Sequence, residues 1–192
     1  MGGRRQRKLN LRGDVFIIGE GITEQYYFTH IKHLKKYKCV VKPRFFGKTD
    51  ITQIDKIIEK LLLGGINVIC VFDADVSERN TAEKEKLNQF RLKYQKNSDV
   101  LICDSLPSIE FWFLLHYIKT NKHFSHSKAV MKELNKFISD YVKTENYLIN
   151  NRWVEQLMER LDTACRNAKS LEQCEGSSYS NIYKAIDKLE GK

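Results

Sequence analysis

Long apolar runs are missing from this 192-residue chain, and none approaches the roughly 20 residues that a membrane-spanning helix needs. A span through the bilayer is not expected. The basic opening, with Arg4, Arg5, Arg7 and Lys8, is followed by no apolar segment of a secretory signal. Nor does Met1-Gly2 begin a myristoylation signal, because Gln6 stands where Ser or Thr is required. The expectation is a cytoplasmic protein with no membrane partner. Cys-x-x-Cys is also missing, and the five cysteines form an odd set, which speaks against a disulfide framework and a zinc knuckle. Cys39, Cys70 and Cys103 fall in or near apolar runs and read as small core residues. Internal repeats and low-complexity linkers are absent too, and only 171–178 reads as a flexible connection.

Positive charge is in excess, +9 with a pI near 9.2, which points to an acidic partner, nucleic acid being the commonest. Arg4, Arg5, Arg7, Lys8 and Arg12 make a basic arm over 1–12, and Arg4 and Arg5 are candidate phosphate contacts.

Beyond the arm, strand-like and helix-like periods alternate. Val15 to Ile18 is a short apolar run suited to a strand buried on both faces. Ile22 to about Lys36 places Ile22, Tyr26, Tyr27, Ile31 and Leu34 near one helical stripe. Cys39 to Phe46 is a second strand, and Asp50 can cap a helix carrying Ile51, Ile54, Ile57, Ile58, Leu61 and Leu62, ended by Gly64-Gly65. Val68 to Phe72 is the third strand, Asn80 to Lys96 a charged helix, and Val100 to Cys103 the fourth strand. The expected fold is α/β, Rossmann-like, with a mostly parallel four-stranded sheet flanked by helices. After Ser105 the pattern is helical: about 107–118, 127–137, 151–168 and 180–189. Residues 13–104 read as the α/β core and 105–192 as a helical elaboration of the same domain.

Within this basic chain, three acids close predicted strands: Glu20 after the first, Asp73 and Asp75 after the third. If those strands are parallel neighbours, their carboxyl ends converge at the edge where open α/β sheets bind ligands. Asp-x-Asp is also an ordinary turn sequence. Joined to Glu20 it becomes a candidate site for Mg²⁺ or Mn²⁺, which take oxygen ligands and keep waters that substrate phosphates replace. Glu20 could also move a proton, since neighbouring carboxylates raise its pKa. Glu24, a further candidate catalytic acid, lies at the opening of the first helix, where the helix dipole favours an acid whether or not it has chemistry to do. Glu110 sits among Ile109, Phe111, Trp112, Phe113, Leu114 and Leu115. An unpaired charge there would be expensive, so it needs a metal or a basic partner.

Ile18-Gly-Glu20-Gly21-Ile-Thr23-Glu24-Gln-Tyr-Tyr-Phe28 resembles the Glu-Gly-x-Thr-Glu-x-x-Tyr-Phe opening of RloB-like proteins. Val71-Phe-Asp73-Ala-Asp75 resembles their Asp-x-Asp strand end. Ser105-Leu-Pro107-Ser-Ile-Glu110-Phe-Trp112-Phe-Leu-Leu115-His116 resembles their Ser-Asn-Pro-x-Phe-Glu-x-Trp-Leu-Leu-His segment, with Leu106 and Ile109 departing from it. Tyr179-Ser-Asn181-Ile-Tyr183-Lys-Ala-Ile is similar to their closing helix. The resemblance implies a Toprim-like fold, as in primases, topoisomerases and overcoming-lysogenization-defect nucleases. It also implies a role in bacterial defence or abortive infection, often beside an ATPase encoded nearby. Carried onto matching positions, Glu20 is the acid/base glutamate, Asp73 and Asp75 are metal ligands, and Glu110 is a supporting acid. His116, included in the matching segment, can orient a carboxylate or phosphate.

The function expected is metal-dependent cleavage of DNA or RNA. Lys143 and Arg152 are candidates for holding the polyanion, and a homo-oligomer is compatible with the sequence. Two alternatives stand beside this reading. A haloacid-dehalogenase-like phosphatase would use Asp73 as nucleophile and Asp75 as acid/base, but needs a later acidic pair where only Asp104 stands. A non-catalytic adaptor to an ATPase would use the aromatic segment 111–113 or the charged helix after Asn80. Gly47-Lys48-Thr49 lacks the first glycine of a P-loop, since Lys42 stands there. The pairs His30/His33 and His123/His126 lack a zinc framework.

Overall fold

The computed structural model describes residues 15–42, 51–75, 81–171 and 176–192. The arm, Asp50, Gly47-Lys48-Thr49 and the start of the charged helix lie outside these residues. The sheet has the order β2-β1-β3-β4-β5. β1 (Val15–Gly19), β2 (Cys39–Lys42), β3 (Asn67–Asp73) and β4 (Val100–Leu106) run parallel, while the short β5 (Tyr179–Ser180) is antiparallel to β4. The four expected strands are all present. β5 is a fifth, and two residues are too few to show an apolar period.

Side chains alternate across the strands and sort into two apolar layers. Ile17, Ile69, Val71 and Cys103 join one cluster, with Tyr27, Phe28 and Ile31 of α1 (Ile22–Lys35) and the carboxy-terminal helices. Ile18, Val68, Cys70, Phe72 and Val100 join the other, beneath Ile54 and Ile58 of α2 (Ile51–Leu63) and Leu87, Phe90 and Tyr94 of α3 (Thr81–Tyr94). Each fully buried side chain of this kind contributes about 1.5–3 kcal/mol. Cys39, Cys70 and Cys103 are buried and free, as core cysteines should be.

The helical half comprises α4 (Ile109–Leu114), α5 (Ser127–Leu134), α6 (Glu145–Leu148), α7 (Arg152–Met158), α8 (Leu161–Leu171) and α9 (Ile182–Glu190). Several expectations need correction. The helix over 151–168 is two helices, parted at Glu159-Arg160. Pro107 does not begin α4: it follows a cis bond from Leu106, and Ser108 is the N-cap. The inward face of α1 is Thr23, Glu24, Tyr27, Phe28 and Ile31, whereas Leu34 is exposed. The stripe is rotated because Glu24, a polar residue, faces inward.

The route from β1 out to β2 and back to β3 makes the gap between β1 and β3 the switch point of the sheet, where ligand crevices form.

Candidate carboxylate centre

Gly19 of β1 pairs with Val71 of β3, and the next amide, Glu20 N–H, donates to Val71 O at 3.2 Å. The chain then turns into α1. Glu24 folds back over its start, accepting the Gly21 N–H at 3.0 Å, as acids at this position of a helix commonly do. The fold-back explains the neighbouring glycine, since a Cβ on Gly19 would lie 2.7 Å from Glu24 Cβ. Across the gap, Glu20 Oε2 accepts the Asp73 N–H at 3.2 Å, so β1 and β3 deliver their acids to one place.

The next strand completes the floor. Ala74 N–H donates to Ser105 O at 2.8 Å, and the first amide of α4, Ile109 N–H, donates to Asp73 Oδ1 at 2.9 Å. That seats Glu110 beside Asp73. Glu110 is wholly buried, with Ser108 Oγ donating to Oε2 at 2.5 Å, Tyr141 OH to Oε1 at 3.1 Å, and Lys143 Nζ 2.8 Å from Oε2. Tyr141 and Lys143 are aimed inward just after Asp140, which adopts φ 61°, a left-handed conformation that Asp tolerates better than most residues.

Crowding shows in the proton affinities. Burial, with the Glu24 and Asp75 charges adding to it, pushes Glu20 up to about 7 from 4.5, against relief from the Asp73 N–H and Lys143. Burial also raises Glu24, with Glu110 adding to it. Asp73 is held well above its ordinary value by burial and by Glu24, Glu110 and Glu20. Burial works against the Lys143 ammonium, but Glu110, Asp73 and Glu24 outweigh it and raise its pKa. Among the described residues, the centre is thus a set of acids sharing one lysine.

The structure therefore brings together Glu20, Glu24, Asp73 and Glu110, with the Asp75 charge acting on Glu20, and adds Lys143, which the sequence had nominated only as a phosphate contact. It does not bring His116 to them. That ring is buried against Trp112, with Nδ1 bonded to Trp112 O at 2.9 Å and Nε2 without a partner among the described residues, and burial lowers its pKa to about 4. Arg152 is exposed at the start of α7, and Arg4 and Arg5 lie outside the described residues. Sequence reasoning missed Ser108 and Tyr141. Ser108 lies inside the recognised segment, while Tyr141 carries no local signal. His30 and His126 have structural work: His30 Nε2 bonds Leu148 O at 2.8 Å, and His126 Nδ1 caps α5 by accepting Ala129 N–H at 3.1 Å.

Among the described residues, no three His, Cys, Asp or Glu side chains stand as a ready-made metal-ligand set. In chemistry the donors suit a hard divalent cation: they are carboxylate oxygens, and their mutual repulsion is what a cation would relieve. Among the described residues, no helix is long and apolar enough to cross a membrane.

The family model described as RloB-like protein matches residues 15–189, a span that includes every element of the carboxylate centre. Comparisons with curated proteins and with solved structures gave no match.

Proposed function

Because the chain belongs to the RloB-like family, and folds its acids into one cluster at the switch point of a parallel sheet, we propose that it is a divalent-metal-dependent nuclease. Its reaction is hydrolysis of phosphodiester bonds in DNA or RNA. One observation carries this reading: Glu20, Asp73 and Glu110, from three separate segments, meet around Lys143.

Glu20, Asp73 and Asp75 would hold Mg²⁺ or Mn²⁺, which when bound supplies Lewis-acid polarisation of the phosphate and a more acidic water. Glu20, pushed up to about 7 in the metal-free cluster, holds a proton near neutral pH that it would give up on binding the cation. Lys143 supplies positive charge to a phosphate among these acids. Glu110 positions that ammonium, and Ser108 and Tyr141 position Glu110. Glu24 holds the turn after Glu20 in place through Gly21.

The phosphatase alternative finds little support. Asp104, the later acid it would need, is engaged by Arg91, by Tyr179 OH at 2.7 Å and by Asn181 Nδ2 at 2.7 Å. A role in bacterial defence beside an ATPase partner belongs to the proposal through the family resemblance.

The test is cleavage of single- and double-stranded DNA and RNA by wild type and by Asp73→Ala/Asp75→Ala protein, with Mg²⁺, with Mn²⁺ and with chelator. Wild type should cleave at least one substrate only with metal, and the double variant none. Equal cleavage by both, or in excess chelator, overturns the reading. No cleavage, with a stable complex to an ATPase, supports the adaptor instead.

A further inference from the structure

A cavity of about 380 Å³ is bordered by α6, the start of α7 and the turn at 137–139. That volume is within the range of about 300–1,000 Å³ usual for small-molecule sites. Its lining combines two chemistries. Phe137, Tyr147 and Trp153 give aromatic surface, while Asn146, Asn150 and Arg152 give hydrogen-bonding groups. Phe137 is 39 % exposed, although its ring stacks on Tyr117 with centroids 5.0 Å apart and planes 13° from parallel. Asn150 Oδ1 accepts the Arg152 N–H at 2.9 Å, which leaves the amide NH₂ as a donor.

Aromatic faces beside amide and guanidinium groups are the chemistry that recognises a nucleobase. The ring stacks, and amide donors and acceptors match the base edge. We propose that this cavity binds one unstacked nucleobase of a single-stranded substrate, next to the phosphate presented to the carboxylate centre. The proposal rests on the nuclease reading for its substrate and extends it by naming a base-binding site.

Position supports it as well as composition. One segment serves both places: Phe137, Ile138 and Ser139 line the cavity, and Tyr141 and Lys143 enter the acid cluster. Tyr141, which donates to Glu110, also meets Tyr147 at 5.5 Å and Trp153 at 5.8 Å between ring centroids. Tyr141 thus connects Glu110 to two side chains of the cavity wall. A larger cavity, about 830 Å³ beside β4, lies around Asp104, whose oxygens are already taken by Arg91, Tyr179 and Asn181.

The experiment titrates the full chain, in chelator, with the four ribonucleoside 5′-monophosphates and with ribose 5-phosphate. It follows tryptophan fluorescence and calorimetry, because Trp153 lines the cavity and Trp112 is buried elsewhere. At least one nucleotide should bind saturably, and ribose 5-phosphate should not. Phe137→Ala and Arg152→Ala should each weaken binding about tenfold, within the range for loss of one base-stacking contact; Arg152→Ala, at an exposed position, should leave thermal unfolding unchanged, and Phe137→Ala should lose only what its stack on Tyr117 contributes. Trp153→Phe should lose the optical signal and keep the heat of binding. Absence of nucleotide binding, equal binding of ribose 5-phosphate, or unaltered binding by Phe137→Ala and Arg152→Ala would each overturn the proposal. Nucleotide binding without cleavage by wild type would remove the nuclease and leave the base site. Metal-dependent cleavage without nucleotide binding would do the reverse.

Discussion

Lys143 Nζ lies 2.8 Å from Glu110 Oε2, and the Glu110 side chain is wholly buried while that of Lys143 keeps 33 % of its surface in solvent. The pair links the loop before α6 to the first turn of α4. It turns what would be an isolated charge in an aromatic core into part of a polar centre.

Removing the lysine alone should therefore cost more than removing both charges. Lys143→Met leaves a buried carboxylate without its cation and should destabilise by about 3 kcal/mol. In the Lys143→Met/Glu110→Gln double variant much of that loss should return, since Gln keeps acceptors and donors for Ser108 and Tyr141. Urea unfolding of the four proteins of this cycle measures the coupling. Additive losses would mean the two charges are not coupled.

Glu20 has a folded pKa of about 7, raised above 4.5. Its proton therefore stabilises the fold fully below about 4.5, and that contribution is lost as pH rises through 7, by at most about 3 kcal/mol. Glu20→Gln should flatten the fall in unfolding free energy between pH 5 and 8 in chelator. Added Mg²⁺ should raise the melting temperature more at pH 8 than at pH 5, because a cation favours the ionised acid. Parallel curves for wild type and Glu20→Gln would mean Glu20 is not crowded.

His116 titrates with the opposite sign. Its folded pKa is lowered from 6.5 to about 4, so stability is fully present above about 6.5 and is lost as pH falls toward 4, by up to about 3 kcal/mol. His116→Phe removes the titration, and its stability should vary less than that of wild type between pH 6.5 and 4. The cleavage profile should be unaltered in shape, because His116 does not reach the carboxylates. A changed profile would return His116 to the reaction.

Gly19 has no room for a side chain, a Cβ there lying 2.7 Å from Glu24 Cβ. Gly19→Ala should displace α1 at its first turn, costing about 1–3 kcal/mol, and lower cleavage by moving Glu24 and Glu20 apart. Thermal unfolding and turnover measured together decide it. An unchanged variant would show that the turn adapts freely.

Much of the fold was written in local period. Apolar runs ending in Glu20 and Asp73 marked the strands, and the i, i+4 spacing of Ile54 with Ile58 marked the face of α2. Those features depend on neighbours in the chain, so sequence alone could determine them, along with the arrival of three acids at strand ends. Tertiary structure decided what the acids meet. Lys143 and Tyr141 reach Glu110 through a turn at Asp140 that no period announces. His116, two residues beyond α4, is carried into the core, and Glu24 takes an inward place that an apolar stripe would have given to its neighbours. The reason is physical: a side chain's face is set by its own helix or strand, but its partner is set by how separate elements pack.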